Sequence, residues 1–284
     1  MGKRSKLFWP LAIFFVIFVL FLYGPISTIV ILSFQGEQGG LTFPMRGFSL
    51  HWFYALFQQQ RVGDFKGSFL RSFTLGLMVM SICIVLGTMV GQAFRQKFRG
   101  AKFLFYLSVT SLIVPSILIS LGIGVMFNQM GWVPFWYTSG LAAHLTWTLP
   151  FALLIMIAVF NRFDKSYEEA ARDLGASEVV VFRDIVLPII LPSLVGVGLF
   201  GFTLSYDEFA RSSLVMGEFN SLPLEIFAMT TTVTSPALYA LGTVTTLFSF
   251  VMIGLFLWVS RWSQRCAGVV RSRLATEAVD QSNE

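Results

Sequence analysis

The chain has 284 residues, 55% of them hydrophobic and only 12% charged, about half the charged fraction of a soluble domain. So few charges exclude a water-soluble globule, and so many large apolar side chains exclude a disordered chain. The net charge is +5, and its placement along the chain says more than its size. Cys83 and Cys266 form no disulfide framework, and His51 and His144 lack the spacing of a metal-binding pair, so no metal centre is expected.

A bilayer crossing takes about 20 apolar residues. Leu7–Gly36 is the first stretch free of Asp, Glu, Lys and Arg. It is too long for the apolar core of a signal peptide and is not followed by a small-residue cleavage site, so an uncleaved span is expected. Ser72–Phe94 is the second. Phe103–Asn161, with 59 uncharged residues, is long enough for two crossings, and Asn128-Gln129-Met130-Gly131 with Pro134 supplies the turn between them. A fifth crossing runs from near Pro188 into Tyr206, and the last lies within Ile226–Ser260. The pattern predicts an all-α membrane protein of six transmembrane helices in a single domain, residues 1–284. The long continuous runs exclude a closed barrel of alternating segments.

Orientation follows from Lys and Arg. With the N-terminus inside, the inner segments hold fifteen basic residues: Lys3, Arg4, Lys6; Arg95, Lys97, Arg99, Lys102; Arg162, Lys165, Arg172, Arg183; Arg261, Arg265, Arg271, Arg273. The outer segments hold Arg46, Arg61, Lys66, Arg71 and Arg211. Both termini are therefore expected in the cytoplasm. The outer loop from Gln35 to Phe69 contains Ser49–Phe57 (SLHWFYALF), an aromatic run suited to a helix lying in the interface. After Cys266 a polar tail, 266–284, is expected.

The inner loop 161–187 is long and mixed in charge. Ser166-Tyr167-Glu168-Glu169 has the form of a capping box, with the Ser166 oxygen over the Glu169 amide. Ala170 and Ala171 keep one face of the short helix slim, and Gly175 suits the left-handed position that ends a helix. Ser177 can then begin a second short helix, which Ile185-Val186-Leu187-Pro188 leads into the next span. The chain has no G-x-x-x-x-G-K-[ST] phosphate loop, so it is expected neither to hold ATP nor to be an enzyme.

Glu169-Ala170-Ala171, Gly175, Ile185, Leu187 and Pro188, at these intervals, resemble the EAA loop of the permease subunits of bacterial ABC importers. The resemblance implies the type I importer permease fold in the inner membrane. It also implies that the 161–187 loop couples the chain to a separate pair of ATPase subunits, which bind ATP and magnesium. A second homologous permease and a periplasmic solute-binding protein complete such a machine, and no nucleic acid is involved. Val114–Phe127, Ala143–Leu154, Phe202–Phe209 and Ser221–Thr243 further resemble the second permease of spermidine/putrescine-type importers, which implies a polyamine substrate. One position departs: where that subfamily often has an acid after the proline of the third span, Pro115 is followed by Ser116. Another small amine or organic solute is the alternative. A nucleotide-independent secondary transporter is the rival class, which would bring mid-membrane ionisable groups or an internal repeat.

Asp207 and Glu208 are the acids beside the fifth span. Nineteen residues from Pro188, at about 1.5 Å each, place Asp207 roughly 28 Å along the helix, near its outer mouth. Either acid could pair with Arg211, three or four residues on. Alternatively, one carboxylate, with Tyr206 or Phe202 nearby, attracts a cationic substrate.

Overall fold

The computed structural model describes residues 7–58, 63–232 and 235–282; Lys3, Arg4, Lys6 and Arg61 lie outside them. Apart from an isolated antiparallel bridge between Gln35 and Phe48, the regular structure among the described residues is helical. In chain order the helices are α1 (Phe8–Leu32), α2 (His51–Ala55), α3 (Phe65–Ala93), α4 (Ala101–Thr110), α5 (Ser116–Gln129), α6 (Leu141–Asn161), α7 (Ser166–Asp173), α8 (Glu178–Val180), α9 (Leu187–Tyr206), α10 (Leu222–Thr232) and α11 (Ala237–Ser282). Wider π-type turns at Trp136–Gly140 and Val181–Val186 lead into α6 and α9.

Five helical stretches are each long and apolar enough to cross a membrane: Phe8–Leu32, Phe65–Ala93, Trp136–Asn161, Glu178–Tyr206 and Ala237–Trp262. The crossing expected from Phe103 onward is divided between two shorter apolar helices, α4 and α5. Pro115 causes the break, because its ring disfavours helical backbone at Val114 and it has no N–H to extend α4. The last crossing, expected within Ile226–Ser260, is narrowed to Ala237–Trp262. The first residues of the expected range belong to the separate helix α10, and α11 starts after Ser235-Pro236, whose carbonyls accept its first amides. The backbone of α11 stays helical through the polar stretch after Cys266 as far as Ser282.

The chain divides into two compact units. The first comprises residues 1–66 and 225–251. Its outer loop is organised by Gln35, fully buried, which donates to the Gly40 carbonyl at 3.1 Å and accepts the Arg46 N–H at 2.7 Å. Tyr239 donates to the Leu41 carbonyl at 2.6 Å, and Glu225 accepts the Asp64 N–H at 2.9 Å. The aromatic run expected to form an interfacial helix is helical only over the five residues of α2. On α1 only Leu32 is buried; an apolar helix with so little cover inside its own chain needs lipid or another subunit around it.

The second unit, 67–224 with 252–284, has its core where α3, α6 and α9 meet. Val79, Cys83, Met156, Phe160, Ile190, Leu194 and Val197 are all buried there, together with Val181 and Val186 from the turn below α9. The helices approach through glycine: a Cβ on Gly198 would lie 2.7 Å from the Ile84 side chain, and one on Gly87 would lie 3.1 Å from the Ala152 Cβ. Small residues at such crossings let backbones pack where water supplies no hydrophobic drive between helices.

Candidate functional site: the cytoplasmic loop and the outer segment

Helix α6 ends at Asn161, and the chain turns through Asp164. The Asp164 carboxylate accepts the Ser166 N–H at 3.0 Å, which holds it below the ordinary carboxylate range, the backbone bond being the main cause. Helix α7 follows with no side-chain bond at its cap residue, Lys165. The capping box expected from Ser166 and Glu169 is therefore not formed. Asp164 captures the amide first because its shorter reach closes a two-residue Asx turn.

The end of α7 matches expectation. Gly175 has φ +84°, its N–H bonds to the Arg172 carbonyl at 2.8 Å, and the Ala176 N–H bonds to the Ala171 carbonyl at 3.0 Å. This paired closure requires a left-handed residue at Gly175, and glycine takes that conformation without a Cβ clash. Across the turn, Arg172 grips Glu178 through two bonds of 2.8 and 2.9 Å; the pair is exposed, and solvent screening leaves it little weight in stability. Ser177 precedes α8, and the Val181–Val186 turn delivers Leu187-Pro188 into α9.

The residues of the loop divide by face. Glu169, Ala170 and Gly175 are exposed, and Leu174 is 83% exposed. Ala171 packs inward against the core, and Ile185, Leu187 and Pro188 are partly buried. One acid is not where the sequence pointed: Glu168, not Glu169, is buried. Its carboxylate takes two bonds from the Arg95 guanidinium, at 2.7 and 3.0 Å. The partner lies 73 positions away, beyond any local pattern. That Arg95 and Glu168 meet agrees with placing both segments on one side of the membrane.

At the other end of α9, residues 207–221 fold back along α5 and α6. Arg211, expected in an outer aqueous loop, is only 3% exposed. Its Nη1 donates to Ser116 Oγ at 2.7 Å, its Nε to Thr146 Oγ1 at 3.3 Å, and its guanidinium carbon lies 4.7 Å from the centre of the Trp147 ring. Glu208 is also buried and accepts the Arg211 N–H at 2.8 Å, with Oε2 3.6 Å from Nη1. The local pairing alternative is thus realised by Glu208, while Asp207 is exposed. Phe202 and Tyr206 stack on each other in the interior, with ring centres 5.8 Å apart.

His144 fastens the same segment. Its Nδ1 lies 2.8 Å from Ser205 Oγ and its Nε2 lies 2.9 Å from Ser212 Oγ. Ser212 donates to the Glu208 carbonyl at 2.7 Å, so its oxygen accepts from Nε2–H, and Nδ1 accepts from Ser205. Ser120 donates to the Arg211 carbonyl, Ser139 to the Val215 carbonyl, and Arg71 to the Asn220 carbonyl. Backbone buried without helix must find such partners. No short sequence pattern announced them.

Residues 83–265 match the family described as binding-protein-dependent transport system inner membrane component. The chain is 31% identical over 259 residues to the spermidine/putrescine transport system permease protein PotC of Haemophilus influenzae, covering 90% of this chain and 98% of that one. It is 27% identical over 251 residues to the putrescine transport system permease protein PotI of Escherichia coli K12, covering 84% and 85%. Among solved structures, a chain of a bacterial ABC transporter involved in import of the acidic polysaccharide alginate superposes with a TM-score of 0.63 at 15% identity, over 92% of this chain and 99% of that one. The MetNI methionine ABC transporter, in an inward-facing form, gives a TM-score of 0.52, also at 15% identity, over 72% and 94%. These two likenesses speak for the fold. The all-helical architecture, the loop between α6 and α9 and these matches agree, and the chain belongs to the family of binding-protein-dependent transport system inner membrane components, the permease subunits of ABC importers.

Proposed function

We propose that this permease forms half of the translocation pathway of an ATP-driven polyamine importer, with the loop 161–187 as its coupling element. The observation that carries the coupling role is the loop's two-faced build. Glu169, Ala170, Gly175 and Leu174 point away from the body, while Ala171, Val181 and Val186 anchor the same loop in the core. A short helix held so firmly from within, yet offering an apolar leucine outward, is suited to seat in a groove of an ATPase subunit. Two such ATPase subunits, a second homologous permease and a solute-binding protein are the partners of this reading; the ATPases bind the ATP and magnesium.

The polyamine assignment rests on the likeness to PotC and PotI and on the exposed Asp207 at the outer end of α9. A second reading, another small amine or organic solute, is favoured by Ser116, whose hydroxyl faces the Arg211 guanidinium. Uptake of labelled spermidine and putrescine into proteoliposomes holding the whole complex tests both readings. ATP-dependent uptake of either is the expected result. ATP-driven uptake of a different solute would transfer the assignment to that solute, and uptake without nucleotide would overturn the importer reading.

A further inference from the structure

The Arg95–Glu168 pair is built more strongly than an ordinary surface contact. Its side chains are only 10% and 8% exposed, it is bidentate, and the guanidinium carbon lies 5.3 and 5.2 Å from the ring centres of Phe160 and Phe163. Arg95 stands just beyond the last turn of α3, and Glu168 in the first turn of α7. A carboxylate there also faces the positive end of the helix dipole.

Neighbouring helical residues point about 100° apart, and here that separation divides two adjacent acids: Glu169 is exposed and Glu168 is held inside. A planar, two-point bond between guanidinium and carboxylate fixes orientation as well as distance, which a point charge on a flexible stem does not. The rings of Phe160 and Phe163, on either side of the end of α6, further limit how the guanidinium can turn.

We propose that Arg95 and Glu168 are the transmission link of the permease, tying α7 to the inner end of α3 so that a displacement of α7 moves α3 with it. This rests on the coupling reading of the loop: Glu169 and Leu174 meet the ATPase, and Glu168 passes the movement on. The polar cavity beside the pair, lined by Gln92, Gln96, Lys165 and Arg172, brings water and other charged groups close to the bond, yet its bidentate geometry holds both partners in place.

The test uses the reconstituted complex with all partner chains. Glu168→Gln and Arg95→Lys are expected to keep the ATPase attached in pull-downs and ATP hydrolysis near wild type. Solute moved per ATP is expected to fall about tenfold, an ordinary coupling for directly bonded residues. Arg95→Glu combined with Glu168→Arg is expected to recover much of the loss, while Glu168→Arg alone does not. Loss of ATPase attachment in Glu168→Gln would make Glu168 part of the docking surface and overturn the link; unchanged solute per ATP would overturn it too. Failure of the coupling reading itself shows separately: Gly175→Val and Glu169→Ala, which leave the pair intact, would then also transport normally. A measurement on the otherwise native protein completes the test. Spin labels at Met89 on α3 and Asp173 on α7, both exposed, keep one separation through the nucleotide cycle if the link holds, and a separation that changes overturns it.

Discussion

Arg211 Nη1 stands 2.7 Å from Ser116 Oγ, so the serine that replaces an expected acid faces a buried guanidinium. An acid at Ser116 would place a second carboxylate on Arg211, which Glu208 already neutralises. A hydroxyl completes the hydrogen bonding without adding charge to a site of low dielectric. The departure from the subfamily pattern and the burial of Arg211 are two sides of one arrangement.

Removing Arg211 should therefore cost stability. Arg211→Ala leaves the buried Glu208 carboxylate with only the backbone N–H at position 211, a loss of about 3 kcal/mol, the low end for breaking a buried pair. Arg211→Met combined with Glu208→Gln, which buries no lone charge, should lose less than Arg211→Ala alone. Thermal unfolding of the detergent-solubilised complex checks the order, and equal or reversed losses would contradict it.

Gly175→Val should uncouple ATP hydrolysis from transport while the protein still reaches the membrane. At φ +84° a β-branched residue is strained by about 1–3 kcal/mol. The space around Gly175 is open, so the cost comes from the backbone and not from a clash. The strain loosens the closure that orients α7 and its exposed Leu174. Transport per ATP equal to wild type in this variant would remove the coupling role from the turn.

Topology can be checked by labelling in a background with Cys83 and Cys266 replaced by serine. A cysteine at Gln58 should react with an impermeant reagent from outside, and one at Ser177 only after permeabilisation; both positions are exposed. The basis is the concentration of basic residues on one side. Reaction of both from outside would invalidate the orientation.

What the sequence revealed and what it hid follow from the range of the forces involved. Spans were legible because a run such as Leu7–Gly36 must be apolar throughout to lie in lipid. Gly175 was legible because only glycine takes its backbone conformation freely. The cap of α7 was ambiguous because Asp164 and Ser166 can both accept an amide, and the choice depends on how the chain leaves α6. Pro115 and Pro236 were visible as residues, but an uncharged run does not tell whether a proline kinks a helix or ends it. The burial of Glu168 and Arg211 could not be read locally, since Arg95 and Thr146 reach them from distant segments. Counting Arg211 as an outer aqueous charge followed from its position between two spans, whereas the chain carries it back among polar side chains.

With Glu208 committed to Arg211 and the rings of Phe202 and Tyr206 packed inside, the exposed carboxylate at the outer end of α9 belongs to Asp207, and the exposed aromatic nearest in sequence is Phe209. If the substrate is a polyamine, Asp207 draws in an ammonium group as it leaves the binding protein, and Phe209 adds a cation–π face of about 0.5–2 kcal/mol. Asp207→Asn should then lower uptake at limiting substrate by about tenfold in low salt, with the deficit shrinking as salt screens the wild-type attraction. Membrane abundance and basal ATP hydrolysis should hold, because among the described residues the exposed Asp207 carboxylate ties no other element in place. Glu208→Gln should behave differently, lowering abundance and unfolding temperature along with uptake. Normal, salt-independent uptake in Asp207→Asn would make the residue an ordinary wet helix end and remove the main local support for a cationic substrate.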